Sequence, residues 1–363
     1  MKLPNNLTPK IVAKIMATIA FGAVGGFIAD YLTLPLPWLI GALIITLIAA
    51  LSGAPLQSPG RLRHYMITIL GVMLGSGFSP EIFEQITQWP VSLAAVLLYT
   101  IGVTAIIIYC LTKFTKFGFV NSFFGGAPGG LAELVILARE YGGDERLVSL
   151  MHSTRLMLTV LTIPFFYRFY YDYTPAARAA GANIGNDIAL LDFVILLGCA
   201  VLGYFGGKKI KLPAYQIFGP LVLSAFVHIT GITDAHLPGS LIIAAQLVFG
   251  TSLGCQFIGI TLKDVSKTIT ASIMMTFVFI IMAAVFAYGL SEITGLPFRT
   301  LFLTFSPGGL PEMTLISLSL NIDIAFVTTH HSIRVIFLLA IVPVLFYWIA
   351  PHFGVTLQNK DKI

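Results

Sequence analysis

A chain of 363 residues that is 57% hydrophobic and only 10% charged, with mean hydropathy +0.91, cannot hide its apolar surface in a water-soluble core, because a globular domain carries about 25% charge. The formal charge of +5 comes from basic residues scattered between apolar runs, which argues against direct nucleic-acid binding and reads as a membrane-topology signal. The composition is that of a multi-pass integral membrane protein, with the lipid bilayer as its expected partner.

In chain order, apolar segments are expected at residues 11–32, 36–53, 62–78, 90–112, 122–138 and 147–170. The first lacks a small-residue cleavage site before Asp30 and is read as a membrane helix rather than a removed signal. A Gly/Asn-rich stretch, Gly181 to Asp187, reads as a linker. Beyond it six further segments follow at 188–206, 214–231, 240–258, 268–290, 299–320 and 325–350. Trp38, Trp89 and Trp348 fall at segment ends and are expected to anchor at the membrane interface. Cys110, Cys199 and Cys255 sit in apolar runs without metal-ligand spacing, so no metal or other cofactor is expected.

The second set of segments repeats the first. Ala127-Pro128-Gly129-Gly130-Leu131-Ala132-Glu133 recurs 179 residues later as Ser306-Pro307-Gly308-Gly309-Leu310-Pro311-Glu312. The same offset relates His152 to His331, Arg155 to Arg334 and Pro164 to Pro343. Gly71-x-x-x-Gly75 and Gly250-x-x-x-Gly254 match as well, and read as surfaces for close helix packing. Two membrane repeats are therefore expected, 1–180 and 181–363.

Lys and Arg placement sets the expected topology. If each repeat has five crossings plus one interrupted, re-entrant element, and the N-terminus is cytoplasmic, sixteen of the 21 basic residues lie inside, Lys208, Lys209, Lys211, Lys263 and Lys267 among them. Only Arg168, Arg178 and Arg299 lie outside, with Arg155 and Arg334 in the membrane. The expectation is an all-α polytopic protein of two inverted-topology repeats, about ten transmembrane helices plus two Pro-Gly-Gly-interrupted helices, with both termini cytoplasmic. Broken helices that do cross, with another segment in each half failing to cross, satisfy the charge count equally well.

Within each break, proline removes a backbone donor and the paired glycines permit left-handed backbone, leaving unpaired peptide groups and a new helix N-terminus after Gly130 and Gly309. Such a terminus favours anions, and freed carbonyls favour cations. Glu133 and Glu312 follow in the first turn, where they either carry a coupling cation or proton or pair with Arg155 and Arg334. If the acids are not the arginines' partners, the arginines become an anion clamp. His152 and Arg155, like His331 and Arg334, share a helix face; the histidines serve as a proton relay or solute ligand, or as an interhelical polar contact. Thr304, Asn321 and Asp323 lie near the second break, and Tyr141, Asp144, Glu145 and Arg146 follow the first, reading mostly as interface polar groups.

On these residues the chain resembles the AbrB family of duplicated membrane proteins, whose halves each carry a Ser-Pro-Gly-Gly break followed by a polar helix with an arginine. Ser306-Pro307-Gly308-Gly309 fits that pattern and Arg155 and Arg334 take the arginine positions, while Ala127 replaces the first serine and His152 and His331 stand where glutamine is expected in some relatives. Members are labelled regulators of gene expression or ammonia monooxygenases. The family also looks like a distant relative of cation/proton antiporters and anion symporters with crossing broken helices, which implies transport. The leading expectation is a secondary transporter of a small solute, coupled to protons or a monovalent cation, binding at Pro128, Gly129, Gly130, Glu133, His152, Arg155, Ser306, Pro307, Gly308, Gly309, Glu312, His331 and Arg334 and able to form a homo-oligomer. A membrane-embedded regulator acting through a partner is the competing expectation. An oxidase comes third, for want of metal ligands.

Overall fold

The computed structural model describes residues 8–129, 131–171, 189–260 and 262–355, with side chains for all of these except 85, 131–133 and 262–265. The predicted linker at 181–187 lies outside the described residues. Among the described residues seven longer helices precede it: α1 (Pro9–Tyr31), α2 (Pro37–Leu51), α3 (Gly60–Gly75), α4 (Pro90–Phe114), α5 (Phe119–Gly126), α6 (Leu131–Glu140) and α7 (Glu145–Tyr170), with a one-turn helix at Ile82–Gln85 between α3 and α4. Seven follow: α8 (Leu190–Lys209), α9 (Tyr215–Ile229), α10 (Gly239–Gly254), α11 (Leu262–Thr294), α12 (Phe298–Phe305), α13 (Leu310–Leu320) and α14 (Ile324–Ile349). No strand occurs among the described residues.

Among the described residues, seven stretches are long and apolar enough to cross a bilayer: Pro9–Tyr31, Pro90–Phe114, Glu145–Tyr170, Leu190–Lys209, Gly239–Phe257, Ser266–Thr294 and Ile324–Phe353. Pro37–Leu51, Tyr215–Ile229 and Leu310–Leu320 are shorter apolar helices. The protein is thus all-helical and of the membrane-spanning type.

Several helices of the second set start and stop where the offset of 178 or 179 places them, as in α2 and α9 or α5 and α12, whereas α11 starts well before the position that α4 predicts for it. Unusual backbone recurs at the same offset. Thr33 and Leu36 take left-handed φ of 53° and 44° before α2, and Lys211 and Ala214 take 56° and 45° before α9. Side-chain-bearing residues pay about 1–2 kcal/mol to adopt that geometry, so each must be held in place by its surroundings.

The chain forms two compact units, each drawing on both halves of the sequence. The first comprises Met1–Trp89, Val160–Thr261 and Pro311–Thr328; the second comprises Pro90–Thr159, Leu262–Leu310 and Thr329–Ile363. In the first unit α2 packs on α1 and α10, while α9 packs on α8 and α3. A Cβ at Gly75 would stand 2.6 Å from Leu221 O and Ala225 N, and one at Gly254 would stand 2.8 Å from Leu43 O and Leu47 N. These glycines let helix backbones touch, as the small-residue spacing predicts. The two contacts are equivalents of one another, since Leu43 and Leu221 differ by 178 and Gly75 and Gly254 by 179.

In the second unit α4 packs on α11 and α5, and α11 on α12. One core of this unit is aromatic: Phe119, Phe123 and Phe124 of α5 meet Phe346 of α14, with Ala127, Leu134, Val148, Leu338 and Val342 buried around them.

One expectation fails in part. Trp348 is exposed, as an interfacial anchor should be, but Trp89 is only 3% exposed and packs edge-on against Phe326 with ring centroids 5.4 Å apart. A tryptophan at a segment end buries when a neighbouring helix offers an apolar face, and segment position alone does not reveal that neighbour.

Candidate functional site

Both predicted breaks are present, and both fall in the second unit. α5 stops at Gly126 and Ala127 becomes extended (φ −72°, ψ 131°); α12 stops at Phe305 and Ser306 does the same (φ −58°, ψ 143°). α6 and α13 then restart at Leu131 and Leu310, the first residue after each glycine pair. Gly130 lies outside the described residues, as does the side chain of Glu133.

Proline explains the next feature. An uninterrupted helix would bond the N–H of residue 128 to Phe124 O and that of residue 307 to Leu303 O, but proline has no N–H to give. His152 of α7 supplies the missing donor to Phe124 O at 3.0 Å, and His331 of α14 supplies it to Leu303 O at 3.1 Å. A carbonyl only accepts, so each ring must carry hydrogen on Nε2. Each histidine is therefore an interhelical polar contact that repairs a helix end, leaving Nδ1 for any further role.

Replacing His152 with leucine should consequently lower stability by about 1–3 kcal/mol through an unsatisfied buried carbonyl. His152→Gln, whose amide N–H can still donate, should recover most of that loss. Thermal unfolding of the purified variants measures both, and equal losses would remove the carbonyl contact as the residue's purpose.

The arginines complete the repair. Arg155, 2% exposed, donates to Ala127 O at 3.1 Å, and Arg334, 1% exposed, donates to Ser306 O at 2.9 Å and Gly308 O at 3.0 Å. Each donor lies 28 residues after the first carbonyl it binds. The carbonyls expected to attract a cation are thus occupied by the protein's own guanidinium groups. Arg334 also donates to His331 Nδ1 at 2.7 Å, so that ring is acceptor on one side and donor on the other.

Tyr99 of α4 touches the second break directly and neighbours the arginine of the first through Phe279. Its hydroxyl donates to Phe279 O at 3.1 Å, its ring stands edge-on to Phe305 at 5.2 Å, and the guanidinium of Arg155 lies 5.9 Å from the Phe279 ring. It has no duplicate in the other half, since position 278 is Val278, so the repeat gave no signal for it.

The Glu312 carboxylate is bound, within the first unit, by Arg63 of α3, Nη2 to Oε1 at 2.9 Å, with side-chain exposures of 27% and 2%. The Arg63 guanidinium also lies 5.1 Å from the Phe249 ring. Arg63 is one of the sixteen basic residues that the charge count puts on the inside, and no motif in the sequence singles it out. Its counterpart is Ile242, so the pair breaks the internal symmetry.

Several of the remaining polar candidates make local hydrogen bonds. Asp144 Oδ1 accepts from Arg146 N and Leu147 N, and Asp323 Oδ1 from Phe326 N, capping α7 and α14. Ser306 Oγ donates back to Phe302 O at 2.6 Å, and Thr304 Oγ1 to Thr300 O. His330, without a duplicate, meets Ser92 Oγ at 2.8 Å. Among the described residues no three His, Cys, Asp or Glu side chains gather as metal ligands.

Residues 38–350 match the family model described as "Transition state regulatory protein AbrB". The chain belongs to the AbrB family. It is 32% identical to the "Uncharacterized protein YhjN" of Bacillus subtilis (strain 168) over 95% of this chain and 94% of that one. It is 26% identical to the "Putative regulator AbrB" of Escherichia coli (strain K12), over 90% and 93% respectively. Within this AbrB-family chain the sites that the two halves share are the repaired breaks, and the site that they do not share is the Arg63–Glu312 pair.

Proposed function

We propose that this AbrB-family protein is a secondary transporter whose solute carries an anionic group and binds at the two breaks of the second unit, near the middle of the bilayer. The observation that carries this reading is the charge of Arg334. It is buried, and its partners are two backbone carbonyls and an imidazole, with no carboxylate facing it among the described residues. An unneutralised guanidinium in an apolar interior is costly, and a solute anion would offset that cost while meeting the N-terminus of a half-helix. Its Nε is buried with no partner among the described residues and supplies a donor for that anion.

The wider arrangement follows from the same reading: two inverted repeats of 1–180 and 181–363, about ten crossing helices, interrupted helices that alternate access, and cytoplasmic termini. Glu312 is the candidate carrier of a coupling proton or cation. The protein moves its solute without covalent chemistry.

Purified protein in proteoliposomes should take up small organic anions under a pH gradient, faster than empty vesicles and more slowly once the gradient is collapsed. Flux at the empty-vesicle level for every anion and gradient tested would count decisively against transport. The family description and the printed name of the Escherichia coli relative favour a second reading, a membrane-embedded regulator acting through a partner. Transcription changes in a deletion strain that are restored equally by wild type and by a transport-dead variant would support it.

A further inference from the structure

We infer that the second unit holds a binding site for an anionic phospholipid in the groove along α4 and α11. The groove encloses a volume of about 580 Å³ and is lined in two zones. One end is polar: Lys116 follows α4, Lys267 lies near the start of α11, and the hydroxyls of Thr115, Ser266 and Thr270 accompany them. The other end is apolar, with Ile107, Leu111, Met274, Met275 and Val278. Among the residues with described side chains, no acidic one lines either zone.

This polarity is that of a phospholipid. Both ammonium groups are exposed, while Met274 at 63% and Phe114 at 72% present apolar surface beside the groove, as residues facing hydrocarbon would. From Lys267 to Val278 the helix rises about 16 Å, enough for a good part of an acyl chain. A phosphodiester held between Lys116 and Lys267 would gain charge and hydroxyl donors, and its chain would lie against the methionines, whose flexible thioethers adapt to an irregular partner. A zwitterionic lipid offers the same chain but brings its own cation to the two lysines. Basic pockets between membrane helices select anionic lipids on this principle. The apolar cavity along α4, α5 and α14 differs, since its lining carries one lysine, Lys113, already hydrogen-bonded to Tyr109.

Native mass spectrometry and thermal unfolding of the detergent-purified protein test this, with dioctanoyl phosphatidylglycerol, dioctanoyl phosphatidylcholine and inorganic phosphate as probes. The expected result is retained phosphatidylglycerol and a raised midpoint, a weaker shift with phosphatidylcholine, and none with phosphate. Lys116→Gln with Lys267→Gln should weaken phosphatidylglycerol binding roughly tenfold or more. Ala271→Leu, which keeps both charges and fills the groove, should weaken both lipids. Equal responses to the two lipids, a full response to phosphate alone, or unchanged binding in both variants would overturn the assignment.

Discussion

Arg334→Met should be among the most damaging single substitutions in this protein. It leaves Ser306 O, Gly308 O and His331 Nδ1 without their donor, and each buried unsatisfied group costs about 1–3 kcal/mol. The sum is a large share of a typical folding free energy, so the variant should accumulate poorly and unfold at a much lower temperature. Arg334→Lys separates folding from binding. Its ammonium keeps the charge and reaches part of the carbonyl set, so it should fold, yet it lacks the planar fork and should bind the solute at least roughly tenfold more weakly. Stability is read by thermal unfolding in detergent and affinity by solute-dependent shifts of the midpoint. An Arg334→Met protein as stable and as active as the parent would refute both the repair of the break and the anion site.

The second large effect concerns Arg63. Arg63→Met strands the Glu312 carboxylate, 2% exposed, in the first unit without its counter-charge, and breaking a buried pair from one side costs about 3–5 kcal/mol. Glu312→Met should cost less, because the Arg63 side chain is 27% exposed and can turn toward water. The double variant should recover much of the loss, since removing both charges also removes their desolvation penalty. A double-mutant cycle on unfolding free energy gives the coupling directly, and a coupling near zero would mean that the pair carries no energetic weight. If Glu312 carries the coupling proton, the double variant should fold but move solute without response to a pH gradient.

Much of this was legible in the sequence because the informative residues come twice. A proline followed by two glycines dictates where a helix must stop and restart, and α6 and α13 begin at the predicted residues. His152 and Arg155 were expected to share a face, and both reach the same break. Their partners were harder to foresee. An acid beside a buried arginine invites an ion pair, but the proline has already freed carbonyls on the neighbouring helix, and these take the arginine's donors. The Arg63–Glu312 pair joins residues 249 apart and has no echo in the other half, so neither spacing nor repetition could signal it. Nor could the grouping of helices into units be read from segments in order, because each unit takes elements from both halves. Trp89 was misjudged for a related reason, since its burial depends on Phe326.

The 28-residue span between each break and the arginine that closes it bears on biogenesis. A clasp of such short reach can fasten as soon as its own helical hairpin has left the ribosome, before the later half of the polypeptide has been made. The glycine seams of α3 with α9 and of α2 with α10 join distant stretches of chain and must wait for synthesis to advance. Insertion would then proceed from locally finished hairpins to long-range docking, and the peptide groups exposed by the first Pro-Gly-Gly would not have to wait in lipid for the second copy to arrive.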